Sequence, residues 1–496
     1  MFKYNPLTGL DFYKTGHKPQ YPDGTEYVYS SMTARSNKHF SWQQPGKGYV
    51  VLWNLQGFIK EFLIDGWNEG FFNKPKKECL DYFNRRMSTS VGPIDSSHIS
   101  DLHDLGYLPI QIKSLKEGTL VPIGMPMFVI VNTDPKYFWL TNLLETIIST
   151  EMWKPITVAT IAYEYKKLCT EFADMTCDNR DHIPFQCHDF SMRGMPGWHD
   201  AARSSTGHLL PFAGTDTVPA IDYLEEYYYA DADTDLVGAS IPATEHSVMC
   251  MGSKEGEKDT IKRLLKEIYP TGYFSAVVDT WDFFKVLTEM LPELKQEIMS
   301  RDGKFVVRPD SGDPADIICG LEPAFGATGA TPEDKGAIEL LWDTFGGTIN
   351  DKGYKVLDEH IGLIYGDSIT LQRANNIFKR LEDKGFASSN VVLGIGSYTY
   401  QYVTRDTFGM AIKATWGQIN GVSRDIFKDP ATDDGTKKSA KGRLMAYVDK
   451  DTKELSYKDQ CSALDETKGE YKKVFLNGKM CRPQTLKEIR TRLENQ

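Results

Sequence analysis

The sequence predicts an α/β fold: an irregular TIM-like α/β barrel, joined to a β-rich domain of antiparallel sheet built from both chain ends. Three observations predict it. Seven short apolar segments in the middle of the chain stop on polar residues, and their end markers Asp189, Asp216, Glu245, Asp279, Asp310, Asp367 and Gly396 lie 27 to 34 residues apart except for one gap of 57. That spacing suits βα units. Helical apolar patterns fill several of the gaps, and alternating strands and helices imply a parallel sheet with its polar strand ends on one face. The two chain ends read differently, as short alternating strands punctuated by Gly, Pro, Asp and Lys.

In order, residues 11–35 open with DFYKTGHKPQYPDGT, which has no clean helical or strand period. Such an arm docks or lies exposed, and Asp11, Tyr13, Lys14 and His17 are its candidate site residues. Residues 51–67 and 139–149 are apolar enough for helices. Between them, 108–132 reads as three strands. Residues 1–150 are therefore assigned to the β-rich domain with its arm, 151–400 to the barrel, and 401–496 to a return into the β-rich domain. Barrel strands are expected within 186–193, 212–217, 239–247, 274–282, 304–312, 361–368 and 391–397. Helices are expected over 259–269, 283–300 and 369–384, and the Gly-rich stretch 320–353 reads as an inserted surface loop.

The chain has 496 residues, 41% hydrophobic and 25% charged, with a formal net charge of −11. This is a globular composition with enough material for two or three domains. The acidic balance argues against a broad nucleic-acid or anionic-membrane surface, which would need a cationic field. Eight cysteines without CxxC or zinc-like spacing suggest scattered reduced thiols. With no basic-then-apolar leader and no run of about 18 apolar residues, a cytoplasmic protein is expected.

The stretch ASIPATEHSVM, residues 239–249, reads as a buried strand that delivers His246 to a pocket. Arg193, Arg308 and Arg405 sit at or near strand ends. An arginine after three apolar residues, as in FVVRPD, is costly to bury without an anion, and its fork suits phosphate oxygens. A structural ion pair between Arg308 and Asp310 is the plain alternative. The turns at 366–368 (GDS) and 394–397 (GIGS) follow the last two strands, where barrel enzymes often hold a phosphate on backbone N–H groups. Asp216, Asp279, Asp282 and Asp310 are strand-end acids able to bind hydroxyls or magnesium, orient a histidine or cap helices. Phe190 can stack on a flat ligand or fill the core.

Jointly, DFYKTGHKPQYP, HDFSMRG, FAGTDT, IPATEHS, VVDTWD, VVRPDSGDP, YGDS and FKDP resemble the nicotinamide phosphoribosyltransferases, of the type II phosphoribosyltransferase family. The motifs occur in that family's order over nearly the whole chain. The resemblance implies transfer of the phosphoribosyl group of phosphoribosyl pyrophosphate to nicotinamide, giving nicotinamide mononucleotide and pyrophosphate, in a homodimer with shared sites. It implies that Phe190 and Tyr13 of the partner subunit sandwich the pyridine ring while Asp216 accepts from the carboxamide. Arg193, His246 and Arg308 would hold pyrophosphate, with Asp279 and Asp310 near ribose and magnesium. Gly366, Asp367, Gly396, Ser397 and Arg405 would surround the ribose and 5′-phosphate, and Asp11, Ser240 and Pro309 would also contact substrate.

The resemblance further implies ATP as a coupling co-substrate that phosphorylates His246, with Lys428 and Lys437 near the nucleotide phosphates. The chain departs from the pattern at GIGSYTY, where many relatives carry a run of glycines, so the contacts of Ser397 are expected to differ. Three other readings stay open from the residues: a nicotinate phosphoribosyltransferase, a barrel glycosidase using two of the acids, and a non-catalytic binding module.

Overall fold

A computed structural model describes residues 3–322, 331–366, 368–427 and 440–496. The chain forms two compact units, one of residues 1–160, 223–230 and 403–496, the other of 161–222 and 231–402.

In the first unit, strands from both chain ends build one seven-stranded antiparallel sheet. Its order is Val422–Asp425, Met410–Ile419, Thr25–Ala34, Pro126–Asn132, Ile110–Ser114, Lys472–Leu476 and Lys479–Met480. Alternate residues of Ile110–Ser114 are buried, as a half-buried strand requires. The helix expected over 51–67 starts later. Val51 ends the strand Tyr49–Val51, Asn54 turns the chain at φ 68°, and helical structure begins at Leu55. Its first turn is capped from a distance, because Glu117 accepts the Gln56 N–H at 2.5 Å. The N-terminal arm is docked: buried Lys14 pairs with Glu145 at 2.8 Å, and Thr146 donates to Asp11 at 3.0 Å. The helix expected over 139–149 forms as Leu140–Leu143 followed by Glu145–Thr176.

The second unit holds a six-stranded parallel sheet, in the order Gly214–Thr215, Cys187–Asp189, Val391–Ile395, Ile361–Tyr365, Phe305–Arg308 and Phe274–Val277. Six of the seven expected segments contain these strands. The seventh, 239–247, does not form a strand: Ala239 makes one parallel bridge to Gly214, and Ala243 one to Ser275. Pro242 explains the interruption, since it accepts from the Ser275 N–H at 2.8 Å but has no N–H to return. Six of the expected strands thus form the sheet, and that segment makes one bridge to each of its two edge strands.

Residues 331–353, expected as part of a surface loop, carry the helices Pro332–Lys335 and Ala337–Phe345 and the strand Gly347–Ile349. Ile338, Leu341 and Phe345 are buried at helical spacing, an amphipathic signal overshadowed by the flanking glycines. All eight cysteines are free. Among the described residues no helix is long and apolar enough to cross a membrane.

Candidate active site

A cleft of 670 Å³ opens in the second unit at the carboxyl ends of its strands, within the roughly 300 to 1,000 Å³ of small-molecule sites. It is lined by Phe190, Arg193, Asp216, Arg308, Asp310, Gly366, Gly396 and Ser397, all named from the sequence, together with Met192, Met195, Gly197, Trp198 and Ala201, which were not.

Asp189 fixes one wall. Fully buried, it accepts from the Ser191 N–H at 3.0 Å and the Thr217 hydroxyl at 2.8 Å, and its carbonyl accepts the Asp216 N–H at 3.0 Å. Side chains alternate along a strand, so His188 and Phe190 project opposite to Asp189. Phe190 lies beneath the Arg308 guanidinium, 5.3 Å from ring centroid to the guanidinium carbon. Arg308 also meets Asp310 at 3.5 Å, while its buried Nε has no partner among the described residues. The ion pair and the anion-seeking fork are therefore both present.

Gly366 makes this arrangement possible. A Cβ there would sit 2.7 Å from Arg308 Nε and 2.8 Å from Asp310 Oδ1, closer than atoms pack.

Asp216 Oδ1 receives two hydrogen bonds, from His188 Nε2 at 2.9 Å and the Ser240 hydroxyl at 2.5 Å. Burial pushes its carboxyl up, but those two bonds and the nearby charges of His188 and Arg308 outweigh it and leave the group below the usual carboxylate range. Asp216 is thus ionised at neutral pH. His188 was missed in the sequence although it opens the HDFSMRG motif; its position two before Phe190 on one strand face was the available signal.

Next to this wall, His246 meets Asp279 at 3.2 Å, with the imidazole side chain 48% exposed and the carboxylate 3%. His246 begins the helix His246–Met251 and is not carried by a strand end. Asp279 Oδ2 accepts the Asp310 N–H at 2.8 Å and the Ser311 hydroxyl at 2.7 Å. Asp282 caps a helix, accepting the Lys285 N–H at 3.0 Å. Ser397 opens a short helix after Gly396. Asp11, Tyr13 and Arg405 belong to the first unit, where Tyr13 is exposed and Arg405 faces Asp406 at 3.6 Å. Asp367, Lys428 and Lys437 lie outside the described residues.

A sequence model of the nicotinate phosphoribosyltransferase (NAPRTase) family matches residues 185–479. The chain is 53% identical to a nicotinamide phosphoribosyltransferase of Acinetobacter baylyi, covering 100% of this chain and 98% of the relative. It is 34% identical to one of Mycoplasma pneumoniae, over 88% and 95%, and 32% identical to one of Xanthomonas campestris pv. campestris, over 98% and 97%. In fold it is similar to a nicotinate-nucleotide pyrophosphorylase of Pyrococcus furiosus, with TM-score 0.58, 13% identity and coverage of 100% and 97%. It is also similar to human nicotinic acid phosphoribosyltransferase, with TM-score 0.52, 14% identity and coverage of 98% and 93%.

Proposed function

The chain belongs to the nicotinate phosphoribosyltransferase family and is a phosphoribosyltransferase, and we propose that it joins nicotinamide to the phosphoribosyl group of phosphoribosyl pyrophosphate in NAD salvage. The observation that carries this reading is the shared cleft, in which an aromatic face, an ionised carboxylate and an arginine pair meet: Phe190, Asp216, Arg193 and Arg308. The pyridine ring lies on Phe190. Asp216 accepts a carboxamide N–H, whereas the carboxylate of nicotinate would meet like charge there. Arg193 and Arg308 take phosphate oxygens.

As the bond from C1 to pyrophosphate breaks, positive charge grows on the sugar and negative charge on the leaving group. Asp310 faces the first and the arginines the second. Nicotinamide has no proton to lose from its ring nitrogen, so orientation and electrostatics carry the reaction. This leaves a use for the arginines and the phosphate turns that a glycosidase would lack.

Magnesium fits this site on the following ground. Asp279 has both oxygens engaged, whereas Asp310 Oδ1 accepts no hydrogen bond among the described residues. Among those residues no three His, Cys, Asp or Glu side chains converge on a metal site. Asp310 would therefore hold the ion together with substrate oxygens, the usual habit of magnesium. Bound there, it would neutralise charge on the departing pyrophosphate. ATP coupling through phosphorylation of His246 is supported by the exposure of that imidazole and by its Asp279 partner, which would hold the proton on Nε2, leave Nδ1 as the nucleophile and stabilise the charged ring. We also infer a cytoplasmic homodimer in which Tyr13 of the partner subunit closes the second face of the pyridine ring; Tyr13 is exposed on its own chain.

Chromatography of products from phosphoribosyl pyrophosphate and nicotinamide, with and without ATP, tests the reading. Nicotinamide mononucleotide and pyrophosphate in equal amounts are expected. Tight binding of phosphoribosyl pyrophosphate with no pyrophosphate release would favour a binding module.

A further inference from the structure

Asp216 has two carboxylate oxygens, and they are not equivalent. Oδ1 is taken by His188 Nε2 at 2.9 Å and by the Ser240 hydroxyl at 2.5 Å. Oδ2 accepts no hydrogen bond among the described residues, and the side chain is 46% exposed on the wall of the cleft. A carboxylate with one oxygen pinned twice cannot turn freely. Its remaining oxygen offers one directed acceptor to a ligand lying on Phe190.

We propose that His188 is a specificity-determining positioning residue: with Ser240 it anchors Asp216 Oδ1, so that Oδ2 is presented to an amide N–H of the acceptor substrate.

An ionised carboxylate only accepts, so His188 Nε2 carries the proton in this contact. The ring is itself held. It lies 4.6 Å from the Phe190 ring, tilted by 38°, and its Nδ1 edge faces Gly214, where a Cβ would come within 2.8 Å. Gly214 thus leaves room for the imidazole, and the strand pair His188 and Gly214 sets its depth. The same strand face therefore carries both the stacking ring and the group that aims the carboxylate. Replacing the imidazole by a methyl group would leave Asp216 with the serine hydroxyl alone and free to rotate. A carboxylate that rotates discriminates less well between an amide and an acid.

This inference rests on the amide-transfer reading, and the test separates the two. Steady-state rates with nicotinamide and nicotinate are measured for the wild type, His188→Ala, His188→Gln and Asp216→Asn, and for the double variant His188→Ala with Asp216→Asn. Glutamine places a donor N–H where Nε2 stood. His188→Ala is expected to lower the ratio of kcat/KM for amide over acid about tenfold, mainly by raising KM for nicotinamide, which corresponds to about 1.4 kcal/mol. His188→Gln is expected to recover most of that ratio, and His188→Ala should change it little once Asp216 is already Asn. An unchanged ratio in His188→Ala, or an equal fall for both acceptors that glutamine does not rescue, would overturn the role given to His188. A wild type that makes no mononucleotide from nicotinamide would instead overturn the reaction itself.

Discussion

Asp279 accepts the backbone N–H of Asp310 at 2.8 Å, which ties the end of one strand to the loop that follows its neighbour. The same carboxylate faces His246 through its other oxygen, so loop position and histidine orientation depend on one buried group. Asp279→Ala would remove the acceptor of the half-buried Asp310 N–H, at about 0.5 to 1.5 kcal/mol for one hydrogen bond, and release the exposed Ser311 hydroxyl to water. A lower Tm and a more than about tenfold loss in kcat/KM for phosphoribosyl pyrophosphate are expected. Asp279→Asn, keeping one oxygen, should lose less stability but most of the ATP stimulation. Full ATP stimulation in that variant would separate His246 from Asp279.

Gly366→Ala tests the packing beneath Arg308. The added methyl would press on Arg308 Nε and Asp310 Oδ1 together. A flexible side chain can yield, so the fold should survive while the guanidinium leaves its place over Phe190. KM for phosphoribosyl pyrophosphate should rise about tenfold, the effect of losing about 1.4 kcal/mol of anion binding. An unchanged KM would show that Arg308 does not need this position.

Stability should depend on pH through Glu117, whose burial pushes its carboxyl up to about 7. Between its ordinary range and that value the folded state binds the extra proton. Its contribution is complete below the ordinary range and is lost as pH rises through about 7. Glu117→Gln removes that titration and keeps an acceptor for the Gln56 N–H. The Tm of the variant relative to wild type should therefore become more favourable from pH 5 to pH 8, other groups cancelling in the comparison. A constant difference would show that Glu117 is ionised across the range.

Sharing of the site between subunits can be tested by mixing. Tyr13→Ala and His246→Ala homodimers should each be weak, and exchange of subunits between them should restore activity, because one site of the mixed dimer then has both residues. No recovery, with exchange shown by sedimentation of a tagged subunit, would place Tyr13 outside its partner's site.

The strands that build the cleft were legible because each ends an apolar run on a polar residue, and Phe190, Asp216, Arg308 and Asp310 converge for that reason. Residues 239–247 misled because their small and β-branched side chains suit a strand, while Pro242 removes a donor that pairing needs. Helix Ala337–Phe345 was hidden because its nine residues lie between glycines that read as loop. His188 was overlooked because its spacing from Phe190 gives only the strand face it shares, whereas its distance to Asp216 is set by the parallel pairing of two strands.

The most direct test of amide transfer is a competition in one tube: wild-type protein, magnesium, ATP, limiting phosphoribosyl pyrophosphate and equal nicotinamide and nicotinate, with products separated by chromatography. Nicotinamide mononucleotide is expected as the main product, with a shift toward nicotinate mononucleotide when Asp216→Asn replaces the wild type. Nicotinate mononucleotide as the main product of the wild type would contradict it.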